Sequence, residues 1–162
     1  MRNTTVFAGL LFLTVVLTRA GHAQTPVPVS DDVRVREVWS ELDRRWSGRD
    51  AKGFAALFGE DASFAFVDRG EAMTGRGEIL DRFVVQFETQ SPVLRHKTTV
   101  HRIQPISDNV RAIDGTVRIV RASDGSDRES EVFASFSIFG VMVRGTTGWE
   151  IGILRVMQRA DR

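Results

Sequence analysis

Residues 48–66, GRDAKGFAALFGEDASFAF, decide how this chain folds. An apolar run lies between Asp50 and Asp61, with Glu60 beside the second, and leads straight into a Phe-x-Phe pair. Ala51, Phe54 and Phe58 share one helical face, so Asp50 reads as the N-cap of a short helix that Gly59 ends. Beyond Asp61, ASFAFV alternates with Phe64 and Phe66 on one side, as a half-buried strand should. A capped helix thus runs into a strand with almost no loop between them.

Upstream, Ser30 followed by Asp31 and Asp32 looks like a helix start, where negative charge suits the dipole. Val35, Trp39, Leu42 and Trp46 recur at helical spacing, and Gly48 is the expected stop. Downstream, DRG turns into a short strand, EAMT, and GRGEILDRFVVQFETQ returns to helical spacing through Ile79, Phe83 and Phe87. After Pro92 come long strand-like segments near 93–104, 110–122, 130–144 and 149–158, divided by SDN, SDGSD and RGTTG. Helices early and strands late predict an α+β domain, with helices on one face of a curved sheet.

The first residues read as a targeting segment. MRNTT is a short basic start, VFAGLLFLTVVLT is too short for a typical span, and RAGHA offers cleavage after Ala23. Residues 1–23 are therefore expected to be a signal peptide and 24–32 a linker, with one domain over 33–160. The exported product would be periplasmic or extracellular. With no cysteine, the chain has no disulfide or thiolate metal site. Of 22 basic and 21 acidic residues, only Arg2 and Arg19 fall in the segment, so the remainder carries a formal charge of −1. That balance argues against a nucleic-acid or anionic-membrane surface.

This order resembles the nuclear-transport-factor-2-like superfamily, and within it the SnoaL-like group with its many exported domains of unknown function. Trp39 and Trp46, GRDAKGFAALFGEDASF, MTGRGEI, RHKTTVHRI and GWEIGILRV carry the resemblance, over roughly residues 33–158. It implies a cone-shaped, cystatin-like antiparallel sheet wrapped around N-terminal helices. It implies activity only weakly, because the fold hosts isomerases, cyclases, hydrolases, dehydratases and association domains. The chain lacks the tyrosine that ketosteroid-isomerase-like sites use, and no Asp-Arg-Asp set of the limonene-epoxide-hydrolase kind is assignable by motif.

In such a cone, inward strand positions alternate with outward ones. Along LRHKTTVHRI the face of Arg95, Lys97, Thr99 and His101 carries more charge, which turns His96 inward. The inward histidine is either hydrogen-bonded core or a proton-transfer group. Asp61, at the junction the resemblance places near the open end, is either a turn carboxylate or a carboxylate at the pocket mouth. His96 and Asp61 are the candidate catalytic pair. Trp46, Phe64, Arg76, Trp149 and Arg155 are the candidate ligand-binding residues, with Arg155 sharing a face with Trp149, Ile151 and Ile153. The parity of Asp114 and Ser135 does not say which way they face. His96 and His101 have opposite parity, so no metal-ligand spacing exists, and no cofactor motif occurs.

The expected function is that of an exported domain binding a small apolar molecule, either a cofactor-independent isomerase, cyclase or dehydratase or a non-catalytic binding or dimerisation module. Val132, Phe136 and Ile138 against Phe133 and Phe139 give apolar character on both strand faces, so a homodimer through the outer face is expected.

Overall fold

The protein's structure, a computed structural model, describes residues 30–123 and 126–159. The expected signal peptide, most of the linker and the end of the domain lie outside them. Helix α1 spans Asp31–Ser47, capped by Ser30, whose Oγ accepts from Val33 N at 3.4 Å, and by Gly48 after its last turn. Helix α1 thus starts at Asp31, two residues before position 33.

Helix α2 is Ala51–Ala55, shorter than the periodicity suggested, and strand β1 runs Phe58–Phe66. Phe58 is thus the first strand residue, fully buried and registered opposite Ile151. Burial at the start of the sheet outweighs one more helical turn. Strand β2 is Glu71–Thr74, and helix α3 is Gly75–Thr89. The long strands are β3 (Leu94–Ser107), β4 (Val110–Ser123), β5 (Ser126–Arg144) and β6 (Trp149–Gln158). They form one six-stranded sheet in the order β2-β1-β6-β5-β4-β3. It is curved and unclosed. All pairs are antiparallel except β1 with β6, which is parallel. The expected antiparallel sheet thus includes one parallel pair.

Among the extra residues that break the ladders, three bear on the site, and each reverses side-chain alternation where it occurs. His101 intrudes between the Val100–Gly115 and Arg102–Asp114 pairs. Phe133 intrudes between Val132 and Ala134, and Gly152 between Ile151 and Ile153. On the inner face, glycines make room for close neighbours in the sheet and above it. A Cβ on Gly115 would lie 2.6 Å from the Thr99 carbonyl oxygen, and one on Gly140 would lie 3.1 Å from Trp39 Cζ2.

The apolar stripe of α1 (Val35, Trp39, Leu42, Trp46) joins Phe54, Phe58, Phe64, Ile79, Phe83 and Phe87 in one core against Ile113, Ile138, Met142, Ile151 and Leu154. Each such side chain contributes roughly 1.5–3 kcal/mol by leaving water. The polar flank of α1 covers the free edge of β3. Ser47 Oγ accepts from His96 N at 2.9 Å, Asp43 Oδ2 accepts from Thr98 N at 2.8 Å, and Arg36 Nη1 donates to the Val100 carbonyl at 2.9 Å. An open sheet edge is thereby satisfied by side chains seven and four residues apart on one helix.

Asp50 caps α2: Oδ1 accepts from Gly53 N at 2.8 Å, and Arg45 Nη1 donates to Oδ2 at 2.5 Å. The Gly53 amide, and then Arg45, hold this carboxyl below its ordinary value of 3.8. Asp50→Ala is expected to cost about 1 kcal/mol at neutral pH. A depressed folded value means stability present above the unfolded value and lost as pH falls through the folded one. The gap between wild type and variant should therefore close as pH drops below about 4. Urea unfolding at neutral and acid pH checks both parts, and a gap independent of pH would refute the capping role.

Candidate functional site

The core is not filled. A cavity of about 580 Å³ opens between α1, α3 and the inner sheet face, walled by Trp39, Leu42, Trp46, Phe54, Phe64 and Phe83 with aliphatic side chains from β4–β6. Such a volume lies within the range of small-molecule sites. His96 breaks this wall.

Along β3, Leu94, His96, Thr98 and Val100 are half-buried while Arg95, Lys97, Thr99 and His101 are exposed, which brings His96 inward. Its side chain is 10% exposed. Nδ1 lies 2.6 Å from Asp43 Oδ1, an oxygen that also accepts from Thr98 Oγ1 at 2.6 Å. With Thr98 N donating to Oδ2, every bond to Asp43 is an acceptor's bond. The network therefore assigns the proton to Nδ1 and the lone pair of a neutral ring to Nε2. Nε2 has no hydrogen-bond partner among the described residues. The ring centroid lies 5.1 Å from that of Trp46, so the indole borders it on the cavity side. The arrangement is a base with an orienting carboxylate behind it and an apolar enclosure in front.

A polar rim completes the cavity. Gln86 and Thr89 of α3 and Gln90 just after it line it with Arg69 and Arg82. Arg82 pairs with Glu71 and donates to Gln86 Oε1 at 3.2 Å; Gln86 donates to Gln90 at 3.4 Å, and Gln90 to the Trp46 carbonyl at 3.5 Å. Among the described residues no group of three or more His, Asp or Glu converges to hold a metal.

Of the residues the sequence singled out, His96, Trp46 and Phe64 share this cavity. Asp61 does not join them: it is exposed on β1 and outside the lining. Arg76 pairs with Glu60 rather than Asp61 and donates to the Phe58 carbonyl at 2.7 Å, tying α3 to β1. Arg155 donates to the carbonyl and hydroxyl of Ser63, both at 3.0 Å, on the outer face. The Gly152 bulge explains the reversal: Trp149 and Ile151 point inward, but beyond it Leu154 and Val156 do, which turns Arg155 out. Trp149 is core at a distance from the cavity. Its Nε1 donates to Asp31 at 3.3 Å, and Arg111 and Arg144, both also on Asp31, lie 5.1 and 4.6 Å from its ring. The Arg144 bond is the main reason the Asp31 carboxyl sits below its ordinary value.

Asp114 faces outward with Arg102, 3.0 Å from its Nε, and Ser135 lies opposite exposed Arg118. Phe133, on the outer face by simple alternation, is carried by its bulge to the cavity mouth, 62% exposed. Asp43, Arg69, Arg82 and the α3 glutamines escaped the sequence reading. The one available signal for Asp43 was its place three residues before Trp46, at the border of the apolar stripe.

The SnoaL-like domain family model matches residues 28–155. No curated protein matches the chain. Among solved structures, a domain of unknown function with a cystatin-like fold from Nostoc punctiforme is similar at TM-score 0.70 and 21% identity, over 83% of this chain and 81% of that one. A protein described as a candidate scytalone dehydratase from Novosphingobium aromaticivorans is similar at TM-score 0.67 and 13% identity, over 80% and 85%. ActVI-ORFA from Streptomyces coelicolor is similar at TM-score 0.65 and 19% identity, over 78% and 96%. At these identities the likeness concerns the fold.

Proposed function

Because the chain belongs to the SnoaL-like domain family, we propose that it is a cofactor-independent acid–base enzyme that moves a proton on a small, largely apolar substrate. The observation that carries this reading is the His96–Asp43 pair, with Nδ1 held at 2.6 Å and Nε2, unbonded by any described residue, in the wall of an apolar cavity. Nε2 takes a proton from carbon next to a carbonyl; the imidazolium formed is stabilised by Asp43. Returning that proton to another carbon is an isomerisation, and delivering it to a departing hydroxyl is a dehydration. Water exclusion by Trp46, Phe54 and Phe83 strengthens both electrostatic steps. Asp43 is a positioning residue.

A non-catalytic binding module is the second reading, favoured by the fact that His96 is the one lining side chain placed as a base. His96 at the wall, with Asp43 behind it in hydrogen-bond reach, favours the enzyme. Exchange of the α-protons of 2-tetralone in D2O, followed by NMR, separates the two. An enzyme accelerates the exchange well above buffer, whereas a binder perturbs the ketone's signals without accelerating it. Export and pairing through the outer face, where Phe139 is 38% exposed, belong to the same proposal; intact mass from the native compartment and light scattering test them.

A further inference from the structure

Among the described residues the cavity wall carries two guanidinium groups and no carboxylate. Arg69 and Arg82 line it with the imidazole of His96, while Asp43 and Glu71 stand behind it. Arg82 is committed to Glu71 and Gln86. Arg69, at the exposed rim, is not: among the described residues its guanidinium meets only the face of Phe66, 5.3 Å from the ring centroid. The Arg82 guanidinium lies 5.8 Å from the same ring.

From that rim to His96 runs a belt of touching rings. Phe66 meets Phe64 at 4.9 Å and Phe64 meets Phe83 at 5.6 Å along the lining; Phe83 is joined to Trp46 through Phe87, a core ring outside the lining, at 5.4 and 6.0 Å, and Trp46 meets His96 at 5.1 Å. A molecule reaching from Arg69 to His96 must therefore be polar at both ends and apolar between. A guanidinium fork with open donors matches a carboxylate in shape and charge. An apolar cleft beneath it keeps that attraction from being fully screened.

We infer that the ligand is an amphiphilic anion, an aromatic or alicyclic carboxylic acid whose carboxylate docks on Arg69 over Phe66 while its ring body fills the aromatic belt toward His96. The docking half stands on the rim alone; the placing of reactive carbon at His96 rests on the proposed function.

The test is calorimetric titration of the purified chain with 2-naphthoic acid and with 2-naphthamide, which share shape and differ in charge. At low ionic strength the acid should bind about tenfold or more tightly than the amide, and added salt should narrow the gap. In Arg69→Gln the acid should fall to the amide's affinity, with the amide unchanged. Equal affinities in wild type, or a preference that survives in Arg69→Gln, would overturn the carboxylate assignment. Either result would leave the ketone exchange reaction of His96 untouched, so the two failures are separable. Binding of neither probe would overturn this assignment and count against the apolar cavity as a ligand site.

Discussion

His96→Gln should lower the rate of 2-tetralone exchange by roughly 10²–10⁴-fold, the span a positioned general base contributes. Glutamine keeps much of the volume and can still meet Asp43, but it has no group that takes up a proton. The loss should therefore fall on turnover, with ketone affinity moving little. Asp43→Asn should lose less. Its carboxamide keeps one accepting oxygen and offers N–H groups where Oδ1 or Oδ2 now accepts, so it conflicts with donors that converge there. That variant should also cost about 1–3 kcal/mol, because Thr98 N on the covered edge of β3 loses its acceptor. A His96→Gln protein that exchanges tetralone at the wild-type rate would sink the assignment of the base.

The largest expected effect on stability is Phe54→Ala. Phe54 is 2% exposed, and its ring lies 4.1 Å from Phe83, 5.4 Å from Phe58 and 6.2 Å from Phe87, joining α2 to α3 and β1. Truncation should cost about 3–5 kcal/mol, from lost transfer energy and from space that cannot close around a rigid aromatic cluster. Val85→Ala, on α3 at the rim and 62% exposed, should stay within about 0.5 kcal/mol. Urea unfolding of the pair decides this. A Phe54→Ala cost below about 1 kcal/mol would mean that residues 48–66 do not organise the core.

The fold was legible because its signals are local. Ser30, Asp50 and Gly48 mark helix ends, and the stripes from Val35 to Trp46 and from Ile79 to Phe87 carry a helical period. Strand direction was not: β1 pairs in parallel with β6 through contacts some ninety residues apart, which no turn signal records. His96 faced inward because its neighbours on the other parity were charged. Arg155 was misplaced because one bulge residue, Gly152, shifts the period by one, and alternation counted along a strand cannot see it. Asp43 stayed hidden for another reason. Its partners lie 53 and 55 residues away, and it meets them only because β3 is an edge strand whose open hydrogen bonds α1 covers. The carboxylate that satisfies the sheet edge is the same one that orients the histidine.

Asp43 fixes His96 with its proton on Nδ1 and its lone pair on Nε2. Long-range ¹H–¹⁵N correlation NMR of the imidazole rings, at a pH where they are neutral, reads this directly. The expected result is a protonated, pyrrole-like Nδ1 and an unprotonated, pyridine-like Nε2 for His96, with that preference lost or inverted in Asp43→Asn. A His96 ring protonated on Nε2 in the wild-type protein, or one whose tautomer ignores the loss of the Asp43 carboxylate, would contradict it.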